Sequence, residues 1–255
     1  MIEKIQHENV LELKMNFNEN NKLTKEAILE LKSVFDEESF NRGNRVVLLT
    51  SAASKFFSNG LDPELFIGKS ADEIRTNFRL VGEMADALFF FAKPVIAVLE
   101  GHAMAMAAVM ALMSDYRFMA EKAGRIGFPE VLISMTFPVL ASMVLRDLVG
   151  VKTARDLIYT GKSLKPDEAK NCGLIDFVEP AESIHEKALK HAQKMSKMTF
   201  EALTGIKRAS RESYRPILAG TAEWDLAHIV ETIESPNSQE GFKSITEGRR
   251  AVYSD

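Results

Sequence analysis

Lys93-Pro94-Val95-Ile96-Ala97-Val98-Leu99-Glu100-Gly101-His102-Ala103-Met104-Ala105-Met106-Ala107 is the stretch that decides the fold. Pro94 interrupts whatever precedes it. Val95 to Leu99 is an unbroken apolar run, short enough to be a strand and apolar enough to be buried on both faces. Gly101-His102 then turns the chain into an apolar helix of Ala and Met. A strand buried on both faces needs a sheet with helices over it, so this stretch predicts an α/β layering. The small residues Ala103, Ala105, Ala107 and Ala108 leave room for close approach to the backbone. Taken alone, they read as tight packing of a buried helix.

The same grammar recurs on both sides. Val46-Val47-Leu48-Leu49 is a second buried strand. It leads into Phe56-Phe57-Ser58-Asn59-Gly60-Leu61-Asp62-Pro63, where Asp62 and Pro63 read as the cap and first residue of a helix. Upstream, residues 2–5 and 10–15 read as strands. Thr24 caps a helix with an apolar stripe of Ile28, Leu31, Val34 and Phe35. Ser70 and Glu73 form a capping box for a helix running to about Leu88. Downstream come a strand at 116–119 and a helix at 139–149 ending at Gly150. Two helices end at Gly161 and Gly173, and a last strand covers 174–178. Ser183 and Glu186 cap an amphipathic helix, and a final helix is expected over 238–253. The expected division is a core domain over 1–195 and a helical C-terminal region over 196–255.

Bulk properties narrow the function classes. The chain has 255 residues, enough for one large domain, and a formal net charge of −4. Without a basic cluster, a nucleic-acid partner is not expected. The one cysteine, Cys172, cannot form an internal disulfide and fits a reducing compartment, so a cytoplasmic location is expected. The most apolar stretch, 88–113, is interrupted by Lys93, Pro94, Glu100 and His102, so no membrane span is expected.

Three segments could carry chemistry. Ser58-Asn59-Gly60-Leu61-Asp62 follows a strand and opens a helix, where unpaired N–H groups attract negative charge. The turn and helix start at 101–107 repeat that arrangement. Gly127-Phe128-Pro129-Glu130 sets a carboxyl among Phe128, Val131, Leu132, Ile133 and Met135. Such surroundings raise a carboxyl pKa toward the range useful for proton transfer. Each segment also has a plain structural reading as a turn, a packed helix or a pairing glutamate. His102 has no second His or Cys at ligand spacing, so no metal is expected.

Taken together and in order, these segments resemble the enoyl-CoA hydratase/isomerase (crotonase) family. Lys93-Pro94 through Asp115-Tyr116-Arg117 and Ile126 through Glu130 match two of its motifs. Similar matches occur at Thr160-Gly161 through Gly173-Leu174-Ile175 and at Gln239-Glu240-Gly241-Phe242 with Glu247-Gly248-Arg249-Arg250. The resemblance spans roughly the whole chain. It implies a spiral of β-β-α turns with C-terminal helices that mediate assembly as a homotrimer or a dimer of trimers. It also implies an acyl-CoA substrate and no separate cofactor, coenzyme A being part of the substrate.

By position in that family, the backbone N–H groups of Leu61 and Met106 would form an oxyanion hole, and Glu130 would be the catalytic carboxylate. Lys22, Leu23, Ser58, Asn59, Gly60, Asp62 and Phe128 would contact the substrate or its coenzyme A. Lys55, Arg249 and Arg250 are further basic candidates for the phosphates. Two departures matter. The family often has Gly where this chain has Ala105 and Met106. Family hydratases carry a second glutamate where this chain has Val109, and valine can neither bind nor activate water. The resemblance therefore implies Δ3,Δ2-enoyl-CoA isomerisation with one glutamate base. The alternatives are a hydratase with an atypical water site and a catalytically weak acyl-CoA-binding member.

Overall fold

Strand, short strand, helix is the unit from which this chain builds itself. The computed structural model describes residues 1–122 and 124–254. β1 (Ile2–His7) and β2 (Val10–Met15) form an antiparallel pair. Thr24 caps α1 (Lys25–Ser39) by accepting a hydrogen bond from Ala27 N. The first full unit is β3 (Val46–Ser51), β4 (Phe56–Ser58) and α2 (Ala71–Phe89). The second is β5 (Val95–Leu99), β6 (His102–Met104) and α3 (Met106–Met113). The third is β7 (Tyr116–Ala120), β8 (Ile126–Gly127) and α4 (Val139–Val149). Then follow α5 (Val151–Thr160), β9 (Ser163–Leu164), α6 (Pro166–Asn171) and β10 (Phe177–Glu179). Four helices finish the chain: α7 (Ile184–Met195), α8 (Phe200–Arg211), α9 (Arg215–Glu234) and α10 (Pro236–Glu247).

The long strands form one sheet in the order β1-β2-β3-β5-β7-β10, parallel from β2 onward. The short strands form a second sheet, β4-β6-β8-β9, in which β4, β6 and β8 are parallel. Corresponding strands of successive units thus stack side by side, and the expected spiral of β-β-α turns is what the chain forms. β3 and β5 are buried along their whole length, as their unbroken apolar composition requires. α3 is buried on every side, which explains a helix made only of Met, Ala, Val and Leu.

Several local readings need correction. The helix expected from Gly101-His102 begins only at Met106, because β6 is inserted first. His102 N donates to Lys55 O at 2.9 Å and Ala103 N to Arg125 O at 3.0 Å, so neighbouring strands take these backbone groups before a helix can. The last strand is Phe177–Glu179, shorter and later than expected. Ser183 stands at the start of α7 without capping it, and its hydroxyl donates to Pro180 O at 3.3 Å instead. The final helix stops at Gly248, which is left-handed at φ 65. Beyond it, Val252 N donates to the Glu240 carboxylate at 2.9 Å, folding the tail back on α10.

The helical C-terminal region packs on the core of its own chain, α9 against α2 and α10 against the Glu130–Ile133 turn. One buried polar cluster ties α8 down. Asp115, just past α3, accepts from Lys207 Nζ at 2.7 Å, Arg211 at 3.1 Å and Val95 N at 2.7 Å. Lys207 also donates to Lys93 O at 2.8 Å. Burial alone would raise the Asp115 pKa, but the two cations prevail and hold it below the usual carboxylate range.

Candidate active site

Three successive turns of the spiral each bring one piece to the same place. The first is the loop after β4. Gly60 adopts φ +79, and a Cβ there would lie 3.0 Å from Met104 O and 3.3 Å from Ala105 Cβ. Only glycine lets this loop approach the second one so closely. Leu23 N donates to Gly60 O at 2.9 Å and Asp62 N to Leu23 O at 3.0 Å. The Ser58 hydroxyl donates to Asn21 O at 2.7 Å and accepts from Gly60 N at 3.2 Å. Asp62 caps the 3-10 turn Pro63–Leu65 by accepting from Glu64 N.

The second piece is the start of α3. Ala105 sits at φ 52, ψ −124, a conformation that residues with a Cβ rarely adopt. It is held there from both sides: Ala105 N donates to Gly127 O at 3.0 Å, and its carbonyl accepts from Val109 N at 3.0 Å. The departure from glycine therefore leaves the helix start in place at a cost in strain. Ala105→Gly is expected to raise stability by about 1 kcal/mol, read as a higher urea midpoint with unchanged slope.

Among the described residues, neither Leu61 N nor Met106 N donates to a protein acceptor. Met106 N is the first amide of a helix, so it lacks an internal partner by construction.

The third piece is Glu130, which opens the 3-10 turn Glu130–Ile133. It is 7% exposed, and its Oε2 is buried without a hydrogen-bond partner among the described residues. Burial raises its pKa to about 7. α10 presses on this turn: a Cβ at Gly241 would lie 2.8 Å from Ile133 Cα.

Leu61, Ala105, Met106, Val109, Glu130 and Ile133 line one end of a cavity of about 580 Å³, a size ordinary for a small-molecule site. Lys22 and Asn59 also line it. Leu23, Ser58, Gly60 and Asp62 are not on its wall; they are the struts behind the first loop. Phe128 is fully buried and off the wall too, its ring against Phe137 at 5.4 Å. Of the other basic candidates, Lys55 lies over the Phe56 ring and Arg249 is paired with Glu240 and Glu247, both away from the cavity wall. His102 Nδ1 accepts from Arg125 N at 3.2 Å, and the described residues hold no group of three or more potential metal ligands.

The sequence reading missed two half-buried carboxyls on the cavity wall, Asp86 on α2 and Asp225 on α9. Asp225 accepts from Val139 N at 2.9 Å, and burial raises its pKa. The signal for Asp86 was present, since Phe78, Gly82 and Asp86 share one face of α2 at four-residue spacing. An acidic residue on the inward face of a helix is unusual enough to mark.

The comparisons bear on this arrangement. The enoyl-CoA hydratase/isomerase family model matches residues 5–255. Crotonyl-CoA hydratase of Syntrophomonas wolfei is 26% identical over 234 residues, covering 91% of this chain and 89% of the relative. Enoyl-CoA delta isomerase 2 of Arabidopsis thaliana is 30% identical over 159 residues, covering 59% and 65%. The crystal structure of human mitochondrial delta3-delta2-enoyl-CoA isomerase superposes with a TM-score of 0.92 at 24% identity, covering 97% of each chain. Relatives named for hydration and for isomerisation thus both match this chain. With a match running from the first strand to the last residue, the chain belongs to the enoyl-CoA hydratase/isomerase family and is an enzyme of that kind.

Proposed function

We propose that this enzyme moves the double bond of a 3-enoyl-CoA to the 2-position, with Glu130 as the only base. The observation that carries this reading is one unpartnered, buried carboxyl beside two free backbone N–H groups, with Val109 rather than a second acid next to them. Glu130 removes a proton from the carbon between the thioester carbonyl and the double bond. The electron pair moves onto the carbonyl oxygen, and the N–H groups of Leu61 and Met106 hold that charge. Glu130 then returns the same proton to the far carbon of the former double bond, so nothing is gained or lost overall. A pKa near 7 suits a group that must both take and give a proton. Lys22 and Asn59, which line the same cavity, would meet the coenzyme A moiety.

The test is one assay panel of purified protein with 3-enoyl-CoA and 2-enoyl-CoA. Isomerisation without appreciable hydration is expected; efficient hydration would replace this reading with the hydratase alternative. Val109→Glu is expected to raise hydration of 2-enoyl-CoA above the wild-type level by adding the missing water ligand. A buried, unpaired carboxylate also costs stability, so the variant's melting temperature is to be measured with its rate.

The enzyme is further proposed to assemble as a trimer or a pair of trimers, as family resemblance implies. Exposed Leu132, Tyr159, Trp224 and Ile245 supply apolar surface for such contacts. A monomer in light scattering at micromolar concentration would refute this.

A further inference from the structure

The cavity is longer than the reacting centre needs, and its far end is polar. Asp115 N donates to Val95 O at 2.8 Å, which places the C-terminal end of α3 beside the start of β5. Met106 therefore stands at the finishing end of β5 and Met113 at its starting end. Both line the cavity, seven residues apart on one helix, which is about 10 Å of rise. Asp86 also lies at the starting end, because it is in the last turn of α2, immediately before the chain enters β5. The cavity thus runs from Glu130 down α3 to Asp86, walled on the way by Phe78, Leu140 and Leu226.

Asp86 has no side-chain hydrogen bond or ion pair among the described residues. The nearby cation, Arg215, pairs with Glu212 at 3.4 Å and stacks over Phe90 at 4.2 Å. Burial, with the charge of Glu83 adding to it, raises the Asp86 pKa to about 6. Asp86 is half-buried on this wall, which Arg79, Glu83 and Glu223 also line, and a part-desolvated carboxyl without a partner is stabilised by a ligand that donates to it. At the other end of the same channel, the buried and equally unpartnered Glu130 marks the reacting position.

We infer that Asp86 is a specificity-determining residue that accepts a hydrogen bond from a hydroxyl near the far end of the substrate's acyl chain. This rests on the acyl-CoA reading above. An extended chain advances roughly 1.2 Å per bond, so about eight bonds separate the carbon at Glu130 from the group at Asp86. A site that hydrogen-bonds a substrate hydroxyl discriminates against the chain lacking it, since an apolar chain end in contact with the half-buried carboxyl displaces water from it and leaves it unpaired.

The experiment compares 3-decenoyl-CoA with its 10-hydroxy counterpart in the wild type, Asp86→Asn and Asp86→Leu. Wild type is expected to favour the hydroxylated chain in kcat/KM by about tenfold to a hundredfold, chiefly through KM. Asp86→Leu should reverse the preference, and Asp86→Asn, which keeps an acceptor, should retain part of it. Equal ratios in wild type and Asp86→Leu, or a wild-type preference for the plain chain, would overturn the inference. Calorimetry with decanoyl-CoA and 10-hydroxydecanoyl-CoA reads the same preference without turnover. Turnover of the plain chain without discrimination sinks the role of Asp86 alone. If neither thioester binds, the acyl-CoA reading fails and takes this one with it.

Discussion

Glu130→Gln is expected to lose about 10²- to 10⁴-fold in isomerase turnover while keeping its affinity for acyl-CoA. The substitution preserves the size of the side chain and removes only its ability to take a proton. The two N–H donors and the cavity wall remain, so binding measured by calorimetry should change little. Full turnover by this variant would refute the mechanism. The pKa of Glu130 also fixes the pH response. With a folded-state value of about 7, the base is in its working form only above that value. The rate is expected to climb as pH rises through 7 and then level off. The sign for stability is opposite. The folded pKa lies above the ordinary value of 4.5, so the folded state holds this proton more tightly than the unfolded chain. Its contribution to stability is complete below about 4.5 and is lost as pH rises through 7. Glu130→Gln should therefore be more stable than wild type in urea above pH 7, and the gap should close in mild acid.

Asp115→Ala is expected to cost about 3–5 kcal/mol of folding stability. It leaves Lys207 with only the Lys93 carbonyl, Arg211 without its carboxylate and Val95 N without its acceptor, all at a buried junction. The cost comes from stranded charges rather than from the lost attraction, so Asp115→Asn should recover part of it. Chemical denaturation measures both variants. A cost for Asp115→Ala comparable to that of an exposed charge substitution would show the cluster to be hydrated and expendable. Where folded enzyme can be prepared, its kcat should change far less than that of Glu130→Gln, because Asp115 is not among the residues lining the cavity.

The layers of this fold were legible because its strands are chemically plain. Val46-Val47-Leu48-Leu49 and Val95-Ile96-Ala97-Val98-Leu99 can be little else than doubly covered strands. The Ser70–Glu73 box was legible for a similar reason, being a local arrangement that needs no distant partner. β6 was hidden because His102-Ala103-Met104 has no alternation, and its strand character comes wholly from Lys55 and Arg125, far away in sequence. The site shows the same division. Leu61, Met106 and Glu130, singled out from the sequence, line one cavity. Leu23, Ser58, Gly60 and Asp62 share their segment with genuine lining residues, and sequence adjacency cannot tell a strut from a wall. Phe128 packs on Phe137 while Glu130 lines the cavity, because at Pro129 (φ −85, ψ 16) the chain leaves the strand for the 3-10 turn. Asp86 and Asp225 were missed because the cavity's long wall is built by α2 and α9, which meet only after the chain has folded.

The order of the cavity's parts along the chain has a consequence for synthesis. Lys22 and Leu61 emerge first, then Met106 and Glu130, and Phe242 and Ile245 of α10 well after these. At about 5–20 residues per second, the apolar channel stays unroofed for several seconds after its reactive end has been translated. α10 packs on the Glu130–Ile133 turn, so that contact forms only once α10 has been made. The candidate site residues thus precede in synthesis the helix that packs over them.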